Sequence, residues 1–410
     1  MKALRVIRCL RARLASDLPS DDRLRRKRRR AFMLLLVATF SSSIGRNGYL
    51  IACSWILVAK EFGSPAVAAF FAIISLVELL ASPLAGWLSD RYDRRRQYLF
   101  ADGIRVVTML FGAVALMTPL LHWGIWLSAV AFAACDRMML TSSQSSIPSL
   151  AEHLSASHAN SLFFFVMQSG GLIAAVMTGV LLDLLPDEVV FLALATTFAI
   201  SVGFMWIVPS GPERPRLDWA QRVQPLLINS RLIYLATVYA VLYTSGFMVS
   251  VVGPSYVLDT FSGTAIDFGN MEMAWSAGSI FGTLLLIALV RAIKVALVPL
   301  IVLCFLALGF ALLRIVDFEG SLAIFAALGV LYNLGRVAVE VMLQACVPQD
   351  ALGRAKGSLH GSAVMMGLAI FAGVGLVGNS ISPASLFCAF GAFLSMAVLC
   401  LGLLHLTLRQ

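Results

Sequence analysis

Apolar runs of roughly 18 residues or more recur from one end of the chain to the other, separated by short polar, charged or proline-containing stretches. With a helical rise of about 1.5 Å per residue, such a run crosses a hydrocarbon core about 30 Å thick. The pattern predicts twelve spans, near 31–58, 66–89, 97–120, 124–147, 160–182, 189–208, 232–257, 270–290, 295–314, 321–345, 357–378 and 384–407. Most connections between them are short, which makes neighbours antiparallel. The stretch 209–231 is longer, has three prolines after Pro209 and carries mixed charge, and it splits the spans six and six. The expected fold is an all-α integral membrane protein: a basic tail (1–30), a six-helix bundle (31–208), a linker (209–231) and a second six-helix bundle (232–410).

Composition supports this reading and narrows the function. Of 410 residues, 60% are apolar and 13% charged, where soluble proteins carry about 25% charged residues. A soluble enzyme, a nucleic-acid-binding protein and a secreted disulfide scaffold are excluded. The net charge of +9 belongs to residues 1–30, which hold twelve Lys/Arg against three acids; the rest of the chain has 19 of each sign. Of the 31 bases, 25 fall in segments on one face of the predicted topology. Two, Lys60 and Arg314, fall on the other, and four lie within spans. By the positive-inside rule both termini are cytoplasmic, in a bacterial-type inner membrane. In the tail, Lys2, Arg5, Arg8 and Arg11 oppose Leu4, Ile7, Leu10 and Leu14 on a helical wheel. That suits either a short helix on anionic membrane lipid or a disordered extension that only orients the first span. The apolar stretch after it is too long for a cleavable signal.

Seven cysteines show no paired spacing and read as packing residues, and no metal or cofactor is expected. Span 4 ends in Gln144-Ser-Ser-Ile-Pro148 and span 10 in Gln344-Ala-Cys-Val-Pro348, preceded by Arg137 and Arg336. This echo suits a duplicated six-helix unit.

At the end of span 2 stands Gly86-Trp-Leu-Ser-Asp90-Arg91-Tyr-Asp93-Arg94-Arg95-Arg96. It resembles the loop 2–3 signature of the major facilitator superfamily, G-x-x-x-D-R-x-G-R-R/K, with Asp93 in place of the usual second glycine. That departure, with Ile147–Glu152, Ala159–Leu162 and Val347–Ser358, resembles the branch of macrolide and siderophore exporters. The resemblance implies alternating access between two bundles. It also implies a cavity lined by the spans other than 3, 6, 9 and 12. Gly86, Asp90, Arg91 and Arg94 would form a cytoplasmic gate, which Asp102 and Arg105 in span 3 could extend. In physical terms Gly86 allows close helix approach, and Asp90 can pair with Arg91 or Arg94. The loop bases also satisfy positive-inside orientation without any gating.

Ionisable groups at bilayer depth are costly and mark function by default. Those near mid-span are Arg46 beside Asn47, Glu78, Asp136-Arg137 and Arg336, with Glu340 one turn beyond Arg336 and Glu272 early in span 8. One reading makes them internal ion pairs, Glu78 with Arg46 or Arg137 and Arg336 with Glu340. The other has them exchange partners as solute or proton binds. Arg46, Arg137 and Arg336 then form a patch for an anionic or zwitterionic solute, with Asn47, Gln168, Tyr243 and Asn333 completing the pocket. Glu78 leads the proton-coupling candidates, followed by Asp136, Glu272 and Glu340. Ser169, Tyr239 and Thr244 are further pocket candidates, His360 reads as a local hydrogen-bonding residue, and the glycines of span 11 suggest close packing or bending.

The expected function is secondary transport of a small solute by a monomer, most directly proton-coupled export of a metabolite, antibiotic or siderophore. The alternatives are a proton-symport importer of an organic anion and a non-transporting sensor on the same fold. No Walker, HExxH or GxSxG motif supports a membrane-embedded enzyme.

Overall fold

The computed structural model describes residues 21–118, 121–152, 154–209, 230–289, 298–347 and 352–407. Among them are twelve α-helices: α1 (Asp21–Ala59), α2 (Gly63–Arg91), α3 (Arg94–Leu116), α4 (Leu121–Leu150), α5 (Ala156–Leu184), α6 (Asp187–Ile207), α7 (Ser230–Ser255), α8 (Ala265–Leu289), α9 (Val298–Leu312), α10 (Phe318–Cys346), α11 (Leu352–Val377) and α12 (Pro383–Thr407). A π-helical turn, Tyr256–Thr260, follows α7. Nine of the twelve are, among the described residues, long and apolar enough to cross a bilayer, and α9 is a shorter apolar helix. The chain is a multi-pass membrane protein.

The helices fall where the apolar runs end, with one larger difference. Span 1 was expected to start near residue 31, but α1 begins at Asp21 and carries the basic run Arg25–Arg30 as helix. No Gly or Pro interrupts that run. The expected tail helix at 1–14 and most of the 209–231 linker lie outside the described residues. Several starts have local causes. Asp93 caps α3, its carboxylate accepting from the Arg95 amide at 3.0 Å, and Asp317 caps α10 through the Gly320 amide at 2.9 Å. The residue that departs from the loop 2–3 signature is therefore a helix cap.

Packing repeats with an offset of six helices. In the first bundle α1 packs on α5, α2 on α4, and α3 on α4 and α6; in the second, α7 packs on α11, α8 on α10, and α9 on α10 and α12. The bundles meet along two seams, α2 with α11 and α5 with α8. Contacts across the seams gather at the end where α2 starts and α11 stops. There Ser64 donates to Ser255 at 2.7 Å, Trp55 stacks on Phe268 at 5.7 Å and Phe71 on Phe371 at 6.3 Å. Gly269 lies so close to Gly179 that a Cβ on Gly179 would stand 2.9 Å from its Cα. Gly63 has φ +67° and would strike Asn379 with any side chain.

The opposite end differs. Gly86 on α2 and Gly357 and Gly361 on α11 have open space beside them. Gly86, expected to let two helices approach, has nothing among the described residues within 4 Å of where its Cβ would stand. Of the other span 11 glycines, Gly367 and Gly378 pack closely against Phe247 and Pro65, while Gly373 and Gly375 face open space. The cores follow the same division. One apolar cluster runs through both bundles, while Ala31, Phe32, Leu35, Met139, Phe163 and their neighbours form a separate core at the other end of the first bundle. Among the described residues, the bundles are sealed at one end and apart at the other.

Candidate functional site

The interior of the first bundle holds a network of charges. Asp102 and Arg105 sit one turn apart on α3, so both project from the same face. Both are fully buried and joined at 3.1 Å. Arg105 also donates to Ser42 of α1 at 3.0 Å and to Asp136 Oδ1 of α4 at 2.6 Å. Asp102 accepts from Ser42 at 3.2 Å and from Ser201 of α6 at 2.6 Å, and Ser201 meets the Tyr98 hydroxyl at 3.0 Å. The Arg105 guanidinium lies over the rings of Phe132 (5.3 Å) and Phe198 (5.2 Å), whose faces favour a cation. Four helices are thus held by one arginine and its two carboxylates.

Asp136 joins this buried cluster to the space between the bundles. Its second oxygen accepts from Arg46 Nε at 2.9 Å. The Arg46 side chain is 30% exposed, where that of Arg105 is 0% exposed. Arg46 therefore lines the open interior, with one side held by Asp136. This differs from the internal-pair reading, in which Glu78 would meet Arg46 or Arg137. Glu78 of α2 has no ion pair within 4 Å among the described residues, and lies within electrostatic reach of Arg46, Arg137, Arg105 and Asp136. Arg137 of α4 likewise makes no such pair among them, and its buried Nε has no hydrogen-bond partner. Asn47, one residue beyond Arg46, donates to the Ser43 carbonyl at 2.8 Å and lies over Gly171 of α5. Gln168, one turn away on α5, is half-buried.

The second bundle answers with rings. Tyr243 of α7 stacks on Tyr239 at 5.6 Å and meets Phe247 at 5.1 Å, Tyr332 at 6.3 Å and His360 at 5.7 Å. Trp275 of α8 lies 5.2 Å from Tyr332. Arg336 of α10 is set among Tyr332, Tyr239, Tyr243 and Glu340, and its buried Nε has no hydrogen-bond partner. The expected Arg336–Glu340 pair is not what forms: Glu340 lies 3.9 Å from Lys356 of α11. Asn333 is buried between α10 and α8 and donates to the Ser279 carbonyl at 2.6 Å. Thr244 donates to the Val241 carbonyl within α7, and Ser169 to the Phe165 carbonyl within α5. Glu272 of α8 lines a small cavity between the bundles with Asn47, Ser54, Ser250 and Ser276.

Of the expected gate, the Asp90 side chain lies outside the described set. Arg91 covers the Trp87 ring at 4.4 Å, and Arg94 donates to the Ser145 carbonyl of α4. Asp102 and Arg105 were expected to extend that loop. Their described bonds run instead to Ser42, Ser201 and Asp136, deeper in the bundle. Sequence reasoning missed the serines that complete the cluster and the rings of Phe132, Phe198, Tyr332 and Trp275, because nothing in their spacing shows which helix they will face.

Comparison with known proteins agrees with this architecture. The family model described as Major Facilitator Superfamily matches residues 35–383. Among solved structures, the chain is similar to the nucleoside transporter NupG (D323A mutant), at 14% identity and TM-score 0.74, covering 90% of this chain and 99% of that one. It is also similar to a bacterial homologue of the iron transporter ferroportin in an inward-facing state, at 16% identity and TM-score 0.71, covering 92% and 98%. A third is the D-xylose–proton symporter, at 13% identity and TM-score 0.68, covering 90% and 96%. No curated protein matches the sequence. The fold is that of transporters, not of an enzyme. The matched segment takes in every helix from α2 to α11, and the chain belongs to the major facilitator superfamily.

Proposed function

We propose that the chain is a proton-coupled exporter of a small zwitterionic solute, working by alternating access in a bacterial-type cytoplasmic membrane with both termini inside. The observation that carries this reading is the charge balance between the bundles. Arg46, Arg105, Arg137, Arg336 and Lys356 face four carboxylates, Glu78, Asp102, Asp136 and Glu340; Glu272 stands apart, with no arginine acting on it. One positive charge is in surplus, and Arg137 and Arg336 each keep a buried Nε without a partner. A carboxylate, phosphate or similar group on the solute would satisfy them.

Export by antiport requires solute and proton to compete for one group. Glu78 is that group: it lies within electrostatic reach of Arg46 and Arg137, has no ion-pair partner within 4 Å among the described residues, and a cationic group on the solute would exclude the proton from it. A plain anion would bind together with the proton, which is the chemistry of the symport alternative. Export itself rests on the resemblance to the exporter branch carried by Asp93, Ile147–Glu152, Ala159–Leu162 and Val347–Ser358. The excess of bases on one face supports cytoplasmic termini; on that orientation the open end faces the cytoplasm and Gly86, Asp90, Arg91 and Arg94 lie at the parted gate.

Comparing metabolites inside and outside cells with and without the protein identifies the solute and its direction. Uptake of that solute into everted vesicles then tests coupling. An acid lumen is expected to drive accumulation, and Glu78→Gln to remove the pH dependence. Accumulation indifferent to lumen pH, or unchanged in Glu78→Gln, would overturn the assignment.

A further inference from the structure

The cavity around Glu272 is distinct from the arginine-lined centre. It has a volume of about 80 Å³ and is lined by Asn47, Leu50, Ile51 and Ser54 of α1, Phe71 of α2, Gly171 of α5, Ser250 of α7, and Glu272 and Ser276 of α8. Holding one water takes about 10–15 Å³ of such space, so the cavity has room for an ion and a few waters. No basic side chain lines it, and no other described charged group acts on Glu272.

A carboxylate at this depth must be neutralised, by a proton or by a bound cation. The rest of the lining distinguishes the two. A proton needs only the carboxylate, whereas a hard cation needs several oxygens around it. Glu272 and Ser276 are one turn apart on the same face of α8. Ser54 gives its hydroxyl proton to the Ile51 carbonyl at 3.0 Å, which leaves its lone pairs free to accept. Asn47 commits its amide nitrogen to Ser43, leaving its carbonyl oxygen as an acceptor, and its amide lies against Gly171 on the cavity wall. Ser250 contributes a further hydroxyl from α7.

We propose that this cavity is a sodium-binding site, with the Glu272 carboxylate as the charged ligand and oxygens of Asn47, Ser54, Ser250 and Ser276 as its neutral partners. The monovalent charge matches the single carboxylate. The donors come from α1 on one bundle and α7 and α8 on the other, so the site is assembled when the bundles are sealed at this end. Sodium therefore stabilises the conformation seen here over one in which the seal has parted.

The test uses the purified full chain, with sodium chloride exchanged for choline chloride at constant ionic strength and pH. Trp55 and Trp275 adjoin Ser54 and Ser276, so intrinsic fluorescence reports the site, and thermal melting gives an independent measure. Saturable fluorescence change and a raised melting temperature are expected with sodium and not with choline. Glu272→Gln should abolish both. Ser276→Ala, a milder variant that keeps the carboxylate, should weaken half-saturation by about tenfold, since loss of even an outer hydrogen-bonding partner costs about 10–100-fold in metal affinity. Identical responses to sodium and choline, or an unaltered sodium response in both variants, would overturn the proposal. So would a response to pH alone, which would make Glu272 a proton site.

Discussion

The two bundles share a helix-pairing pattern but fill their interiors differently. In the first, Arg105 is enclosed by Asp102, Asp136, Ser42 and two phenyl rings, so its charge is spent on holding four helices together. In the second, Arg336 has no carboxylate within 4 Å among the described residues and stands among tyrosines. Arg137 resembles Arg336 in this respect, and the two occupy corresponding helices, α4 and α10. The difference separates arginines that build from arginines that we propose are left to bind. Asp136 lies at the boundary, with one oxygen on buried Arg105 and the other on partly exposed Arg46.

Substitutions should split along that boundary. The largest effect is expected from Asp136→Asn, which strands Arg46 and leaves buried Arg105 with Asp102 as its only carboxylate. Removing one partner of a buried pair costs about 3–5 kcal/mol, so the melting temperature of the purified protein should fall sharply. Arg105→Lys should come next, at about 1.5–3 kcal/mol, because one ammonium cannot span Asp102 and Asp136 or spread over two rings. Arg336→Gln should come last for stability, within about 1 kcal/mol, because no described ion pair is broken. In transport the order reverses for that residue, with at least a tenfold loss at unchanged melting temperature. If Arg336→Gln melted as early as Asp136→Asn, the distinction between the bundles would fail.

The spans were legible because a bilayer demands long apolar runs, and no other feature of the sequence is repeated so often. The start of α1 was misplaced because the basic residues Arg25–Arg30 read as tail, whereas they are helical. The charged residues were legible one by one, since each is expensive at depth, and so was the shared face of Asp102 and Arg105. Their partners were not. Whether Arg46 meets Glu78 or Asp136 depends on the rotation of α1 against α2 and α4, and that is set by packing across helices far apart in the chain. Glu340 shows the same limit, since its neighbour on α11, Lys356, outcompetes Arg336 on its own helix.

The central claim is that Arg46, Arg137 and Arg336 form a binding centre rather than a scaffold. Arg137→Gln tests it most directly, because Arg137 has neither an ion pair nor an Nε partner to lose among the described residues. The measurement is uptake of the identified solute into everted vesicles, with melting temperature recorded on the same preparation. The account predicts a solute bearing an anionic group, uptake reduced at least tenfold and an unchanged melting temperature. Full transport by Arg137→Gln, or a solute with no anionic group, would contradict it.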